Sequence, residues 1–297
     1  MIKLILKGGL GNQMFQYATA YSVAKQNNYK LVIDLSFLKN RTPISGFTIR
    51  DFELDLFGIL NSTTTLFNNR FLDKYFSYPI EKLAIKTHFY QSYTGNDIYK
   101  FDKGVFKVKD NTYIEGYFNN YKYFYEYESE IKEIFDVNKL YDKSFQEIEG
   151  KINECNSVSI NIRRGDYLNK KHKNVFVFLD ANYYKQAINK IRENVKNPHF
   201  FIFSVDFSEN DDSYFVNKLG LKKEEITLLG KSYTGDRFKT YLRLISLCKH
   251  NIMANSTFSF WGAYLNKNQE KKVICPLRWA KKQSNFKVPV NWIAIEN

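Results

Sequence analysis

The chain has 297 residues, enough for two domains, and its 17 % aromatic content with only 5 Pro and 14 Gly excludes a disordered protein. Three widely spaced cysteines without a C-x-x-C pair and four histidines without metal-ligand spacing exclude a disulfide framework and a zinc site. No apolar stretch approaches the ~20 residues of a membrane-spanning helix, and the N-terminal one is too short for a signal peptide, so we expect a cytoplasmic protein.

The formal net charge of +13 indicates an anionic partner. Nucleic acid, an anionic membrane surface and a phosphorylated substrate are the three classes that fit such a charge. The lysines are scattered along the sequence and are not gathered in one basic stretch. We therefore predict no nucleic-acid binding, and we keep a phosphorylated substrate and peripheral contact with an anionic membrane as predictions.

The first predicted elements form a βαβ unit around a glycine-rich turn. Residues 2–6 predict a buried strand, three glycines lie between Gly8 and Gly11, apolar residues recur at helical spacing from Asn12, and a second strand covers Leu31–Asp34. Such a turn can aim free N–H groups and a helix N-terminus at an anion. A tight turn that needs positive φ angles would use the same glycines, so both interpretations stay open here.

The middle of the chain has a less regular pattern. Residues 37–110 are rich in Tyr and Phe and predict helices with loops, followed by a strand over 113–118 and a charged helical segment over 121–135. The polar stretch 141–156 marks the join between two halves. We predict an N-terminal domain over residues 1–150 and a C-terminal domain over residues 151–297.

The second half alternates between strands and helices. Predicted strands cover 158–162, 199–204, 226–229, 251–254 and 272–275, and predicted helices cover 183–195, 213–219, 236–248 and 258–265. This alternation is typical of a parallel sheet with helices on both faces. Such sheets bind ligands at the carboxyl ends of their strands.

The stretch SVSINIRRGDY, residues 157–167, places two adjacent arginines after a predicted buried strand. Arg163 and Arg164 suit bidentate capture of phosphate oxygens, which lysine would hold less specifically. The alternative is an internal ion network in which Asp166 pairs with one arginine across the turn.

The stretch NIMANSTFSFWGAYL, residues 251–265, repeats this arrangement. Asn255, Ser256, Thr257 and Ser259 crowd the turn between a short strand and a helix, where hydroxyls and helix N–H groups can surround a phosphate. The same residue types are also good helix N-caps. A ligand with two phosphates, bound at a cleft between the two halves, would explain all three stretches together.

Other nucleotide motifs fit less well. The opening turn, with Asp34 at the end of the second strand, superficially matches a dinucleotide fingerprint, but Met14 occupies the place of the third glycine. An NAD(P)-dependent oxidoreductase and a non-catalytic basic module stay as alternatives. The sequence has neither a G-x-x-x-x-G-K-S/T loop nor an Asp-x-Asp motif. We therefore predict that arginines and helix ends neutralise the phosphates and that no metal is needed.

Three stretches together resemble the bacterial alpha-1,2-fucosyltransferases of glycosyltransferase family 11, namely GGLGNQMFQYA (8–18), SINIRRGDY (159–167) and ANSTFSFWGAYL (254–265). Weaker similarity covers YIEGYFNNYKYF, FIFSVD and SLCKHNI, in the family's order. The resemblance implies an α/β, GT-B-like fold with two Rossmann-type halves facing a cleft. The N-terminal half would bind the acceptor and the C-terminal half the GDP-sugar.

The resemblance also implies an activity, which is inverting transfer of L-fucose from GDP-L-fucose to the 2-hydroxyl of a galactose-type residue. The acceptor would be a surface glycan precursor, lipid-linked or free, and neither a cofactor nor a metal would be required. A related glycosyltransferase that uses another GDP-sugar stays open. Arg163 and Arg164 would meet the pyrophosphate, and Asp166 is the candidate general base.

The remaining implied substrate-binding residues are Gly9, Gly11 and Asn12 on the sugar-phosphate side, Asp206 at the guanine edge, and Asn255, Ser256 and Thr257 around the phosphates. The family usually has His two residues before the first arginine, whereas this chain has Asn161. Asn keeps the capacity for hydrogen bonding to the donor but loses any ionisable role.

Overall fold

The computed structural model describes residues 1–40, 50–60, 70–88, 90–162, 177–206, 213–281 and 288–297. Its contacts divide the chain into two units, Met1–Ile134 and Phe135–Asn297. The boundary lies before the predicted one at residue 150, because Val137–Leu140 and the helix Gln146–Glu154 pack against a helix of the second unit, Lys239–Leu247. The predicted acceptor and donor roles of the two halves stay predictions.

The described part of the first unit contains a four-stranded sheet of order β2-β1-β4-β3 in which all neighbours are parallel. Ile2 of the central strand β1 pairs with Leu31 on one side and Thr112 on the other. The strands are β1 (Ile2–Ile5), β2 (Leu31–Asp34), β3 (Gln91–Thr94) and β4 (Thr112–Glu115), and the helices are α1 (Leu10–Asn27), α2 (Ser36–Lys39), α3 (Arg70–Lys86) and α4 (Glu128–Ile134).

Helix α1 begins at Leu10, before the predicted start at Asn12. Gly9 is its N-cap residue, so Gly11 and Asn12 lie in its first turn and not ahead of it. At the other end, Asn28 adopts the left-handed conformation with φ of 55° and closes the helix. The apolar spacing located the helix correctly but missed that the glycines already belong to it.

The described part of the second unit contains a six-stranded parallel sheet of order β10-β9-β8-β5-β6-β7. Counted from β5, this is the Rossmann order 3-2-1-4-5-6. The strands are β5 (Asn156–Asn161), β6 (Pro198–Phe203), β7 (Ile226–Leu229), β8 (His250–Ile252), β9 (Val273–Pro276) and β10 (Ile293–Ile295), and the helices are α5 (Gln146–Glu154), α6 (Ala181–Asn194), α7 (Ser213–Leu219), α8 (Lys239–Leu247) and α9 (Thr257–Tyr264). Two parallel-stranded α/β units confirm the predicted GT-B-like fold class.

Strand β6 shows how the second sheet is buried. Phe200 and Ile202 face a core cluster that includes residues of α6, whereas Phe201 and Phe203 face a second cluster with residues of α5 and α8. Because helices cover both faces, the four buried residues Phe200–Phe203 are all apolar and do not alternate with polar ones. This continuous apolar run made the strand predictable from the sequence.

Several elements were not predicted. The edge strands β3 and β10 are largely exposed or half-buried, and their sequences QSYT and IAI are short. The charged segment 121–135 is helical only from Glu128, after two 3₁₀ turns. Short 3₁₀ helices cover Leu54–Phe57, Lys103–Lys107, Tyr121–Tyr123, Tyr125–Tyr127, Val137–Leu140, Lys143–Phe145, Lys223–Glu225, Lys231–Tyr233 and Asp236–Phe238. Within the described ranges, no helix has the length and apolar character needed to span a bilayer.

Candidate active site

The carboxyl ends of β5 and β8 lie side by side in the second unit, because these strands are neighbours in the sheet. The strand order reverses between them, since β6 continues from β5 and β9 from β8. Ligands of open parallel sheets bind at such a reversal. The structure brings Asn161, Asn255, Ser256 and Thr257 to this edge, and Asp206 lies at an exposed position beyond the adjacent strand β6.

Asn161 at the end of β5 is held by two hydroxyl groups. Its Oδ1 accepts a hydrogen bond of 2.8 Å from Ser259 Oγ, which itself accepts one of 3.1 Å from the Ala254 N–H. The Tyr184 hydroxyl donates to the Asn161 carbonyl at 3.0 Å. Its amide Nδ2 has no hydrogen-bond partner among the residues that the structure describes, so this half-buried side chain offers a donor at the sheet edge.

Helix α9 begins directly after β8 and has its N-terminus at the same edge. Ser256 is the N-cap residue, but its hydroxyl makes no capping hydrogen bond to the helix, so capping does not explain a serine at this position. The N–H groups of the first helical turn lack intrahelical partners. Together with the half-buried Thr257, they add further donors beside Asn161.

Asn255 has a positioning role that the sequence did not indicate. Its Nδ2 donates to the Val177 carbonyl at 2.7 Å and to the Trp279 carbonyl at 3.1 Å. The Val177 N–H also donates to the Trp279 carbonyl, at 3.2 Å. Both amide hydrogens of this buried side chain are therefore used to hold the two carbonyls.

The predicted residues Arg163, Arg164 and Asp166 lie outside the described residues, so their roles stay predictions. They follow Ile162 directly in the sequence. Ile162 is buried, and its N–H donates to the Phe203 carbonyl at 3.0 Å. The chain is therefore fixed to the sheet up to the residue before the first arginine.

In the first unit, the glycine turn follows β1 at the carboxyl edge of the other sheet. A Cβ on Gly8, where φ is +74°, would lie 2.7 Å from Asn12 Nδ2, so the turn requires glycine there. A Cβ on Gly9 would lie 3.8 Å from Glu53 Oε2 and 4.0 Å from Arg50 Nε. The turn thus needs its positive-φ glycine, and it also places a helix N-terminus beside two charged groups.

Two glutamines that we did not single out from the sequence hold this turn. Gln13 donates to the Gly8 carbonyl at 2.8 Å and accepts from the Glu53 N–H at 3.0 Å. Gln16 exchanges two hydrogen bonds of 2.9 Å with the backbone of Lys7. Both side chains are fully buried. The available signal was the presence of two amide side chains in the first turns of a helix that follows a glycine turn.

A cluster of charged groups joins the carboxyl ends of β1 and β4. The ammonium group of Lys7, just after β1, contacts the Glu115 carboxylate at the end of β4, and Lys82 of α3 lies 2.6 Å from its other oxygen. Burial acts to raise the pKa of Glu115, but the hydrogen bonds and charges of the two lysines outweigh it and lower that pKa. Glu115 therefore stays ionised and ties the two strand ends together.

A buried carboxyl pair lies between β2 and α3. Asp34 at the end of β2 shares a hydrogen bond with Glu81, and burial, followed by the bond and charge of Asp34, raises the pKa of Glu81 to about 8. Asp34 Oδ1 also accepts from the Ser36 N–H at 2.7 Å. Since Asp34 is engaged in this way, its position no longer favours a ribose-binding role and an NAD(P)-dependent oxidoreductase.

The comparison with protein families gives a match to glycosyl transferase family 11 over residues 1–296. The chain is similar to the alpha-1,2-colitosyltransferase of Escherichia coli, with 30 % identity over 296 residues that cover 98 % of this chain and 97 % of the relative. It is 28 % identical to the O-antigen biosynthesis glycosyltransferase WbnK of Escherichia coli over 321 residues, with 97 % and 98 % coverage.

A third similarity is to a mammalian protein. The galactoside alpha-(1,2)-fucosyltransferase 2 of Pongo pygmaeus is 24 % identical over 265 residues, which cover 87 % of this chain and 67 % of that protein. The similarity to each bacterial protein thus extends over nearly the full length of this chain and of the relative. The similarity to the mammalian protein covers two thirds of that protein.

Proposed function

Since this chain belongs to glycosyl transferase family 11, we propose that it transfers L-fucose from GDP-L-fucose to the 2-hydroxyl of a galactose-type residue in a surface glycan precursor. Family membership confirms the resemblance found in the three sequence stretches, and it makes the chain a glycosyltransferase. The identity of the donor, the acceptor and the linkage is the content of the proposal.

One observation carries the proposal, namely the hydrogen-bond donors gathered where the order of the second sheet reverses. Asn161 Nδ2, the first N–H groups of α9 and the hydroxyl of Thr257 belong to this edge, where Ser256 is the N-cap residue. Arg163 and Arg164 follow the same strand in the sequence. Such a set suits the pyrophosphate of a nucleoside diphosphate sugar, whose charge is spread over several oxygens.

The names of the relatives support the choice of donor sugar. One is a colitosyltransferase and another a fucosyltransferase. Colitose is the 3-deoxy counterpart of L-fucose, so the two sugars differ by one hydroxyl group. We assign L-fucose as the donor sugar, and GDP-colitose is the alternative that an experiment must exclude.

The acceptor is proposed on similar grounds. Two relatives carry alpha-1,2 linkages in their names, one of them to a galactoside, and a third is named for O-antigen biosynthesis. We combine these names into one proposed acceptor, a galactose residue in a bacterial surface glycan. If this glycan is assembled on a lipid carrier, the strongly basic chain would meet an anionic membrane surface.

The proposed reaction is a single in-line displacement. The acceptor 2-hydroxyl attacks C1 of fucose, the bond between C1 and the β-phosphate oxygen breaks, and GDP leaves with the electron pair, which inverts the anomeric centre. Negative charge grows on the leaving phosphate, so preorganised donors there supply most of the stabilisation of the transition state. Arg163, Arg164 and the N-terminus of α9 are proposed for this role.

The proton of the acceptor hydroxyl must pass to a base. Asp166 is the carboxylate that we propose, because it belongs to the same stretch as the two arginines. Glu53 is a second candidate, since its carboxylate lies beside Gly9 at the N-terminus of α1. Asp166→Asn and Glu53→Gln would separate them, because only loss of the true base should lower turnover while leaving GDP affinity unchanged.

Calorimetric titration with GDP, NAD and a random oligonucleotide, followed by a transfer assay with GDP-fucose, GDP-colitose and GDP-mannose on a soluble β-galactoside, tests the proposal. We expect GDP to bind at one site per chain and GDP-fucose to be the best donor, with a 1→2 linkage in the product. Tight binding of NAD without binding of GDP, or transfer to another hydroxyl, would overturn it.

A metal-independent reaction is part of the proposal. It is supported by the lack of an Asp-x-Asp motif in the sequence. We expect turnover to persist after EDTA treatment and gel filtration. Loss of turnover that magnesium or manganese restores would contradict this expectation.

A further inference from the structure

Helix α3 of the first unit carries an apolar stripe on its outer face. Leu72, Phe76, Ile80 and Leu83 are 38 %, 47 %, 44 % and 60 % exposed, and Pro79 between them is exposed as well. Successive members are three or four residues apart, so they lie on one side of the helix. The stripe is thus a continuous surface and not a set of scattered exposed residues.

The opposite face of α3 packs against the unit and includes buried polar side chains. Ser77 and Glu81 are 3 % and 4 % exposed, with Glu81 bonded to Asp34 of β2. The ring of Tyr78 packs edge-on against Phe37 of α2 with centroids 5.0 Å apart. Surface helices normally place their apolar side inward and their polar side outward. The exposed stripe therefore leaves apolar area in water unless another apolar medium covers it.

The charges on the helix indicate what covers the stripe. Its sequence contains four basic residues and two acidic ones, and one of the acidic pair is the buried Glu81. Lys86 is exposed three residues after Leu83, on the flank of the stripe, and the chain as a whole carries +13. Apolar side chains combined with a flanking lysine and a basic chain match a bilayer interface, where apolar side chains enter the acyl boundary and basic groups meet anionic headgroups.

From this combination we propose that the outer face of α3 rests on an anionic membrane surface, with the helix axis in the plane of the interface. The inference rests on the proposed function in one respect, because a lipid-linked acceptor gives the contact its purpose. To the proposed function, the inference adds which surface of the protein contacts the membrane. A 17-residue helix lying in the plane needs no spanning segment.

Vesicle sedimentation tests the proposal with the intact chain. Wild type is compared with Phe76→Ser/Leu83→Ser, which removes apolar area without changing charge, and with Val290→Ser. Val290 is 98 % exposed in the second unit and serves as the matched control for loss of an exposed apolar side chain. Vesicles contain phosphatidylcholine alone or with roughly 30 % phosphatidylglycerol, at low and high salt.

We expect the double variant to lower the partition coefficient on anionic vesicles by about tenfold or more and the control to leave it unchanged. Binding should weaken at high salt and on vesicles without phosphatidylglycerol. Equal partitioning of wild type and the double variant would overturn the proposal. So would a wild-type dimer in light scattering that the double variant dissociates, since the stripe would then cover a second copy.

Transfer to a soluble β-galactoside separates this proposal from the proposed function. The double variant should keep wild-type turnover on that acceptor, because neither Phe76 nor Leu83 is among the described residues of the candidate site. If wild type transfers no fucose but still binds anionic vesicles through the stripe, the proposed function fails and the membrane surface stands. If transfer is intact and the stripe variants bind vesicles like wild type, only the membrane surface fails.

Discussion

Ser259→Ala should weaken the second unit and its candidate site together. The Ser259 hydroxyl, 2 % exposed, links the N–H of Ala254 to Oδ1 of Asn161. Alanine leaves that N–H without a partner at a residue that is itself 2 % exposed, and a buried unsatisfied donor costs about 1–3 kcal/mol. For a unit of this size, ~2 kcal/mol corresponds to a fall in Tm of about 4–8 °C.

The same substitution should weaken GDP binding. Without the Ser259 donor, the Asn161 carboxamide can rotate and present its oxygen, instead of its nitrogen, to the diphosphate. A hydrogen bond to a charged group contributes ~1.5 kcal/mol or more. The Kd for GDP should therefore rise about tenfold.

Urea denaturation followed by tryptophan fluorescence, together with calorimetric GDP titration, measures both effects. Ser246→Ala is the control, because Ser246 is 5 % exposed and its hydroxyl donates within α8 to the Arg243 carbonyl at 2.7 Å, so its loss leaves no N–H unpaired. If the two variants showed equal stability and equal GDP affinity, the bridge between Ala254 and Asn161 would have no role in ligand binding.

Three further predictions concern other parts of the chain. Gln16→Leu leaves the N–H and carbonyl of Lys7 unpaired and should lower the free energy of unfolding by about 2–4 kcal/mol in urea titration. The control Gln26→Leu, on the exposed side of α1, should change this free energy little. Arg163→Lys keeps the charge but loses the planar fork, so turnover should fall roughly 100-fold and more than GDP binding; a folded variant with near-native turnover would refute the pyrophosphate role. The raised pKa of Glu81, about 8 against 4.5 unfolded, means that the folded state keeps a proton that the unfolded state loses between these values. The contribution of Glu81 to the free energy of unfolding should therefore fall as pH rises through that window, and urea titrations at several pH values should show that Glu81→Gln removes this contribution.

The sequence was sufficient where structure follows from local pattern. The apolar runs of the second half located five of the six described strands because helices bury both faces of that sheet, as Phe200 and Phe201 on opposite sides of β6 show. The order of the strands was beyond local pattern, since it depends on which buried surfaces meet. That order brings the ends of β5 and β8 together and makes the neighbourhood of Asn161 a site.

The polar contacts of the first unit could not be predicted for a different reason. Gln13 and Gln16 look like ordinary polar positions of a helix until their partners at the glycine turn are known. Glu81 meets Asp34 across a long sequence separation, from a helix that the pattern left undefined. Helix α3 also exposes Phe76 and buries Glu81, the reverse of what the polarity of these two side chains predicts.

The two hydrogen bonds that Asn255 donates predict how freely the residues at their two ends can be substituted. Its two partners are the main-chain carbonyls of Val177 and Trp279, which every amino acid possesses, whereas the donating carboxamide belongs to very few. Substitutions should therefore be tolerated at the accepting position and not at the donating one. In a saturation library, many substitutions at the half-buried position 177 should give a functional protein and almost none at position 255. Two positions joined by a single hydrogen bond would thus differ sharply in how much they can vary.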